Sequence, residues 1–153
     1  MNIEPAVLED AEEILALQRI AYQSEALLYN DYQLEPLCQT LEQVRQQFRD
    51  HIFLKVVGLG IIIGSVRACL DEGTCRIGKL IVHPDYQNRG IGKQLMRAIE
   101  VAFAGCGRYE LFTGSKSVRN IRFYEKLGYT MVKQVAVKPE LTLHYMEKLS
   151  IIE

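Results

Sequence analysis

The stretch Lys79-Leu-Ile-Val-His-Pro-Asp-Tyr-Gln-Asn-Arg-Gly-Ile-Gly-Lys-Gln-Leu-Met96 constrains this chain more than any other, because it joins a strand to a helix through a glycine-bearing turn. Leu80, Ile81 and Val82 form an apolar, partly β-branched run suited to a buried strand. Pro84, which has no ladder donor, ends it. From Ile91 the apolar positions Ile91, Leu95, Ala98, Ile99 and Ala102 recur at helical spacing and give the following helix one face for the core. Gly90 and Gly92 in the turn let backbone approach a ligand, and the first helical turn offers unpaired N–H groups at the positive end of a macrodipole. The combination is an anion cradle, most naturally for a phosphate. It is not a Walker A loop, since Gln87 and Gln94 stand where that loop needs Gly and Ser or Thr. Nor is it a dinucleotide fingerprint, because Leu95 replaces the third glycine, and Gly58, Gly60 and Gly64 have the wrong spacing.

The 153 residues suit a single domain, 1–153, with enough chain to bury a core. A formal net charge of −1 argues against a nucleic-acid surface. No apolar run approaches the roughly 20 residues of a membrane span, and Met1-Asn-Ile-Glu-Pro5 lacks a basic start and apolar signal core, so a cytoplasmic location is expected. The four cysteines, Cys38, Cys69, Cys75 and Cys106, form no CxxC pair and have no histidines at metal-ligand spacing. Reduced, mostly buried thiols and no metal are expected, although Cys69 and Cys75 could face each other across a hairpin.

In chain order, residues 1–7 read as a short strand, followed by a helix with Asp10, Glu12 and Glu13 at its start and Ile14, Leu17, Ile20 and Ala21 as its apolar stripe. A second helix is predicted from Thr40, as N-cap, to Phe48, with Leu41, Val44 and Phe48 facing inward. The linker 22–36 between them reads as an aromatic, acidic loop carrying Tyr22, Tyr29, Tyr32, Glu25, Asp31 and Glu35, with no Lys or Arg between Arg19 and Arg45. Such a loop could hold a cationic amine through charge and cation–π contact, with Tyr22, Glu25 and Tyr29 as candidate substrate-binding residues, or it could simply be solvated. Residues 52–57, 60–70 and 75–82 form an antiparallel meander across turns at 58–60 and 71–74. After the cradle helix, ended by Gly105 and Gly107, come a strand at 109–113, a helix from Ser117 to Leu127 and a final hairpin, 129–137 with 141–148. The strand–helix–strand order places the strand at Leu80 beside or near that at Leu111, in parallel.

Gln87-x-x-Gly90-x-Gly92 after a strand and before a helix resembles the acetyl-CoA-binding motif of the GNAT superfamily of N-acetyltransferases, written as Gln or Arg, two residues, Gly, one residue, Gly or Ala. The phrase Asn120-Ile-Arg-Phe-Tyr-Glu-Lys-Leu-Gly-Tyr129 is similar to the second signature of that superfamily, Tyr-Glu-Lys-Leu-Gly followed by Phe or Tyr. Ser117, Asn120, Ile121 and Tyr124 share one helical face there. Many members carry Asn seven positions before the tyrosine, where this chain has Ser117, with Asn120 one turn later.

The resemblance implies an α/β (α+β mixed sheet) fold of order β-α-α-β-β-β-α-β-α-β-β, with CoA in a gap between the motif strand and its parallel neighbour. It implies that the backbone of Leu80, Ile81 and Val82 pairs with the pantetheine arm, that the Leu80 N–H polarises the acetyl carbonyl, and that Gln87, Asn88, Arg89, Gly90, Ile91, Gly92 and Lys93 hold the pyrophosphate. Ser117, Asn120 and Tyr124 would border the cofactor, with Tyr124 near the sulfur. A free tyrosine, at about pKa 10, is a weaker acid than a thiol at about 8.5, so Tyr124 could hydrogen-bond the leaving thiolate without protonating it. The base is unassigned among Glu25, Glu72 and Glu110, and His83 is expected to be structural. The expected activity is acetyl transfer from acetyl-CoA to a primary amine, a small cationic molecule or a peptide amine, by direct attack in a ternary complex. A non-catalytic acyl-CoA sensor is the alternative, and a homodimer is left open.

Overall fold

The computed structural model describes residues 2–150, so Met1 of the expected first strand lies outside them. A seven-stranded mixed sheet in the order β1-β2-β3-β4-β5-β7-β6 organises the chain. Its first half is the expected meander: β1 (Ile3–Pro5), β2 (Ile52–Gly58), β3 (Ile61–Asp71) and β4 (Thr74–Val82), all antiparallel neighbours. Leu59 and Gly60 (φ 54° and 81°) and Glu72 and Gly73 (φ 49° and 81°) make its two hairpin turns, with both central residues left-handed, a twist that matches the strands. The second half consists of β5 (Arg108–Gly114), β7 (Leu141–Leu149) and β6 (Thr130–Lys138), with β7 in the middle.

The halves meet along one short parallel seam, Thr74–Arg76 of β4 against Arg108–Glu110 of β5. Beyond it the strands part, so Leu80 and Leu111 are near in sequence order of the sheet but are not register partners. Helix α5 (Ile91–Ala102) makes the crossover and buries Ile91, Leu95, Met96 and Ile99 on one face of the meander, packed with Val56, Ile63 and Val66. Ala102, the last expected position of its stripe, is exposed at the helix end, and the helix stops there ahead of Gly105, which takes φ 97° in the following turn. On the opposite face α1 (Ala11–Ala21) packs with Phe53, Ile62 and Ile81.

Its buried positions are Ala11, Ile14, Leu15, Leu17 and Gln18, whereas Ile20 of the expected stripe is exposed. The buried stripe includes Gln18 because its side-chain oxygen accepts from the buried Arg67 at 2.7 Å while its amide donates to Gln39 and the Pro36 carbonyl. The linker is not a loop. It contains α2 (Gln23–Tyr29) and α3 (Glu35–Cys38), ahead of α4 (Leu41–Gln47), which Thr40 caps as expected and Gln43 caps back in turn. All four thiols are free. Cys75 and Cys106 are buried, Cys69 is half-buried and Cys38 exposed, and Cys69 lies across from Arg76 rather than Cys75. The last helix, α6 (Val118–Lys126), ends at Gly128 with φ 98°.

Candidate active site

A β-bulge interrupts the ladder where β4 leaves the seam. Ser65 pairs with Ile81 and Arg67 with Gly78, so Lys79 and Leu80 together oppose Val66 and neither has a register partner. Lys79 adopts φ 51°, rare for a non-glycine residue, and its ammonium is tied to Glu35 at 2.7 Å. The bulge frees backbone polar groups at the mouth of the gap between β4 and β5.

The turn that follows is built to present N–H groups. His83 accepts the Asp85 N–H at 3.1 Å and so caps a 3-10 turn, Pro84–Tyr86, which is the structural role expected of it. Asn88 (φ 64°) and Gly90 (φ 81°) flank Arg89, an alternation of handedness that turns successive N–H groups toward one side of the chain. The first intrahelical bond of α5 is Gln94 N–H to the Gly90 carbonyl at 3.0 Å, which leaves the N–H groups of Ile91, Gly92 and Lys93 open. Gln87 through Gly90 and Lys93 are exposed, whereas the Ile91 side chain is core, so only its backbone faces a ligand. Arg89 stands over the Tyr86 ring at 5.1 Å, and Arg119 of α6 donates to the Asn88 side-chain oxygen at 2.7 Å.

Tyr124, on α6, lies edge-on to Phe123 and Tyr129. Burial, then its neighbours Tyr22 and Glu25, hold its phenol well above the usual tyrosine range. Burial also raises Tyr22, with Arg67 opposing the shift and Glu25 and Glu35 adding to it. Tyr22 and Glu25, from the linker, thus come together with Tyr124, from the second motif. Glu25 is held by Ser117 and Asn120: the Ser117 hydroxyl donates to Oε2 at 2.6 Å and the Asn120 amide to Oε1 at 3.2 Å. Ser117 occupies the N-cap position of α6, but its side chain caps nothing and serves Glu25 instead.

Tyr29, four residues on from Glu25 and thus on the same face of α2, accepts the Lys116 N–H at 2.8 Å and lies against Gly114. A Cβ at Gly114 would sit 1.9 Å from the Tyr29 oxygen, so only glycine admits the ring. Glu110 lies in the seam, paired with Arg76 and Arg108, and Glu72 is exposed in the hairpin turn at the other end of β4. Glu25 is the one of the three candidate bases beside Tyr124. Sequence reasoning missed the bulge, the left-handed Asn88 and the Tyr29–Gly114 contact; the Glu25, Tyr29 spacing was the one available signal.

Known proteins share both the sequence pattern and this architecture. A family model described as an acetyltransferase (GNAT) domain matches residues 49–131, more than half of the chain. Acetyltransferase SG1711 of Sodalis glossinidius (strain morsitans) is 33% identical over 86 residues, which cover 55% of this chain and 61% of that protein; the match thus spans about three-fifths of the curated relative. The crystal structure of smu.2055 from Streptococcus mutans UA159 superposes with a TM-score of 0.82 at 18% identity, over 97% of this chain and 99% of the other. The PaiA N-acetyltransferase of Thermoplasma acidophilum, solved in complex with coenzyme A, gives a TM-score of 0.76 at 21% identity, over 97% and 99%. With the bulged strand, the splayed gap and the glycine cradle all present on a matching domain, the chain belongs to the GNAT family of acetyltransferases.

Proposed function

We propose that this protein is an N-acetyltransferase that moves the acetyl group of acetyl-CoA to a primary amine by direct attack. The observation that carries the reading is the bulge at Lys79 and Leu80, which leaves these two residues without partners on β3 just ahead of the glycine turn that opens α5. In this reading the N–H groups of 87–93 hold the pyrophosphate, with charge from Arg89 and Lys93. The backbone of Leu80, Ile81 and Val82 lines the pantetheine arm. The Leu80 N–H stabilises the oxyanion that forms on the thioester carbonyl, a group already aimed before charge develops.

Holding amine and thioester together supplies a further large term. Because Tyr124 is held above the ordinary tyrosine range, it stays protonated at neutral pH and donates a hydrogen bond to the departing thiolate, while water delivers the proton. The half-buried Tyr22 and the buried Tyr29 flank Glu25 on the acceptor side, which suits a cationic small molecule or a peptide amine.

The test has two parts. Acetyl-CoA and free CoA should raise the melting temperature in proportion to the logarithm of their concentration, whereas ATP and NAD should not. Thiol release across a panel of primary amines should then show turnover. Tyr124→Phe should lower kcat about 10- to 100-fold, the worth of one hydrogen bond to a charged group, with CoA affinity retained. A protein that binds CoA but shows no thiol release, and whose Tyr124→Phe variant differs in nothing, is a sensor and not an enzyme.

A further inference from the structure

Three carboxylates rise from the segment that carries α2 and α3, and two of them are neutralised. Asp31 pairs with Lys138 and Glu35 with Lys79. Glu25 has no basic partner within ion-pair distance among the described residues, although it lies half-buried against Ser117 and Asn120, on the helix that carries Tyr124. An ionised carboxylate offers about four acceptor sites, and two neutral donors, the Ser117 hydroxyl and the Asn120 amide, fill two of them. The remaining acceptor sites face no Lys, Arg or His of the described residues and are free to take N–H donors from a cationic group. The carboxylate is also fixed in place. Tyr29, one helical turn away, pins α2 against Gly114 and the Lys116 N–H, so Glu25 is presented from a docked helix.

We propose that Glu25 seats the acceptor's ammonium and takes the proton the nitrogen releases, and that Ser117 and Asn120 are positioning residues that aim Glu25. This inference rests on the acetyltransferase reading above. Seated as its ammonium, the acceptor first gives one proton to the Glu25 carboxylate, which passes it to solvent, and the lone pair this frees forms the C–N bond as the carbonyl π pair moves to oxygen. The adduct's nitrogen, now cationic, loses a second N–H proton to the same carboxylate. Collapse restores the C=O bond and expels the C–S pair as thiolate, which takes a proton from water, and Glu25 returns its proton to solvent. The products are the amide and free CoA. Ser117 and Asn120, in this account, act on the acceptor side even though the family resemblance would place them on the pantetheine arm.

The experiment uses the full chain with n-butylammonium as probe. Its binding to the protein–CoA complex is read by calorimetry and its acetylation by thiol release. Glu25→Gln, which keeps the shape of the side chain, is expected to lose butylammonium binding and at least about 100-fold in kcat/KM, with CoA affinity within about twofold of the parent. Ser117→Ala and Asn120→Ala should raise the KM for butylammonium about tenfold at unchanged CoA affinity, and Ser117→Thr, which keeps the hydroxyl donor, should restore it. Failure of the parent protein to bind either CoA ligand refutes the acetyltransferase reading itself. If acetyl-CoA binds, three results overturn the Glu25 assignment alone: butylammonium that neither binds nor reacts, a Glu25→Gln variant with parental kcat/KM, or alanine variants that lose CoA affinity while keeping the amine KM.

Discussion

Gly114→Ala is a one-methyl change whose cost can be worked from geometry. The new Cβ would lie 1.9 Å from the Tyr29 oxygen, 2.6 Å from its Cζ and 3.0 Å from Cε2. Restoring ordinary contact distances of about 3.5 Å requires the ring to move by about 1.5 Å. That motion breaks the Lys116 N–H bond to the phenol, worth about 1 kcal/mol, and adds an overpacking strain of about 1–3 kcal/mol. The expected destabilisation is therefore about 2–4 kcal/mol, or about 5–15 °C for a domain of this size. Urea titration should show a lower midpoint with little change in slope. The decisive control is Tyr29→Leu, which removes the hydroxyl and most of the ring. In that background Gly114→Ala should cost less than about 0.5 kcal/mol, giving a coupling energy above about 1.5 kcal/mol. Equal costs in the two backgrounds would refute the account, because the strain would then lie in the backbone of Gly114 and not in its contact with α2.

Lys79→Val should lower turnover at least about tenfold relative to Lys79→Gly in the thiol-release assay; both lose the Glu35 contact, but a β-branched residue resists the left-handed φ of 51° that glycine accepts freely. Asp10 is pulled upward by burial, yet the bonds from Lys55 and the Val7 N–H carry its pKa below the usual carboxylate value. A carboxylate lowered in this way contributes stability above its unfolded pKa of about 4 that is lost as pH falls through the folded value. Asp10→Asn should therefore melt a few degrees below the parent at pH 7 and match it near pH 2. Alkylation with iodoacetamide at pH 8, followed by mass spectrometry, should modify the exposed Cys38 first and leave Cys75 untouched until unfolding, since burial and then its neighbours Cys106 and Cys69 push that thiol up to about 12.

Elements whose instructions are local were legible from sequence. The hairpin turns at Leu59-Gly60 and Glu72-Gly73, the Thr40 cap and the amphipathic face of α5 each depend on residues within a few positions of one another. The cradle was legible for the same reason. What escaped was set across strands or across the chain. The bulge exists only as a mismatch between β3 and β4, with Val66 facing two residues, and Lys79 has no local feature that announces a positive φ. The seven-residue α2 is too short for its periodicity to stand out, and its docking partner Gly114 lies far along the chain. Ser117 has the composition of an N-cap, but Glu25 outcompetes the helix for its hydroxyl. Ile20 was misplaced because Gln18, polar by composition, is drawn inside by the buried Arg67.

The short seam between β4 and β5 has a mechanical consequence. Two sheet lobes share only the pairing of residues 74–76 with 108–110, and elsewhere a wedge separates them. The wedge carries no ladder bonds, so hydrogen exchange should report an early sub-global opening along it. A molecule lodged in the wedge touches both lobes and acts as a strut. Occupancy would therefore protect amides on β4 and β5 from exchange well beyond those it touches, and the protein would be stiffest while loaded and loosest just after its product leaves.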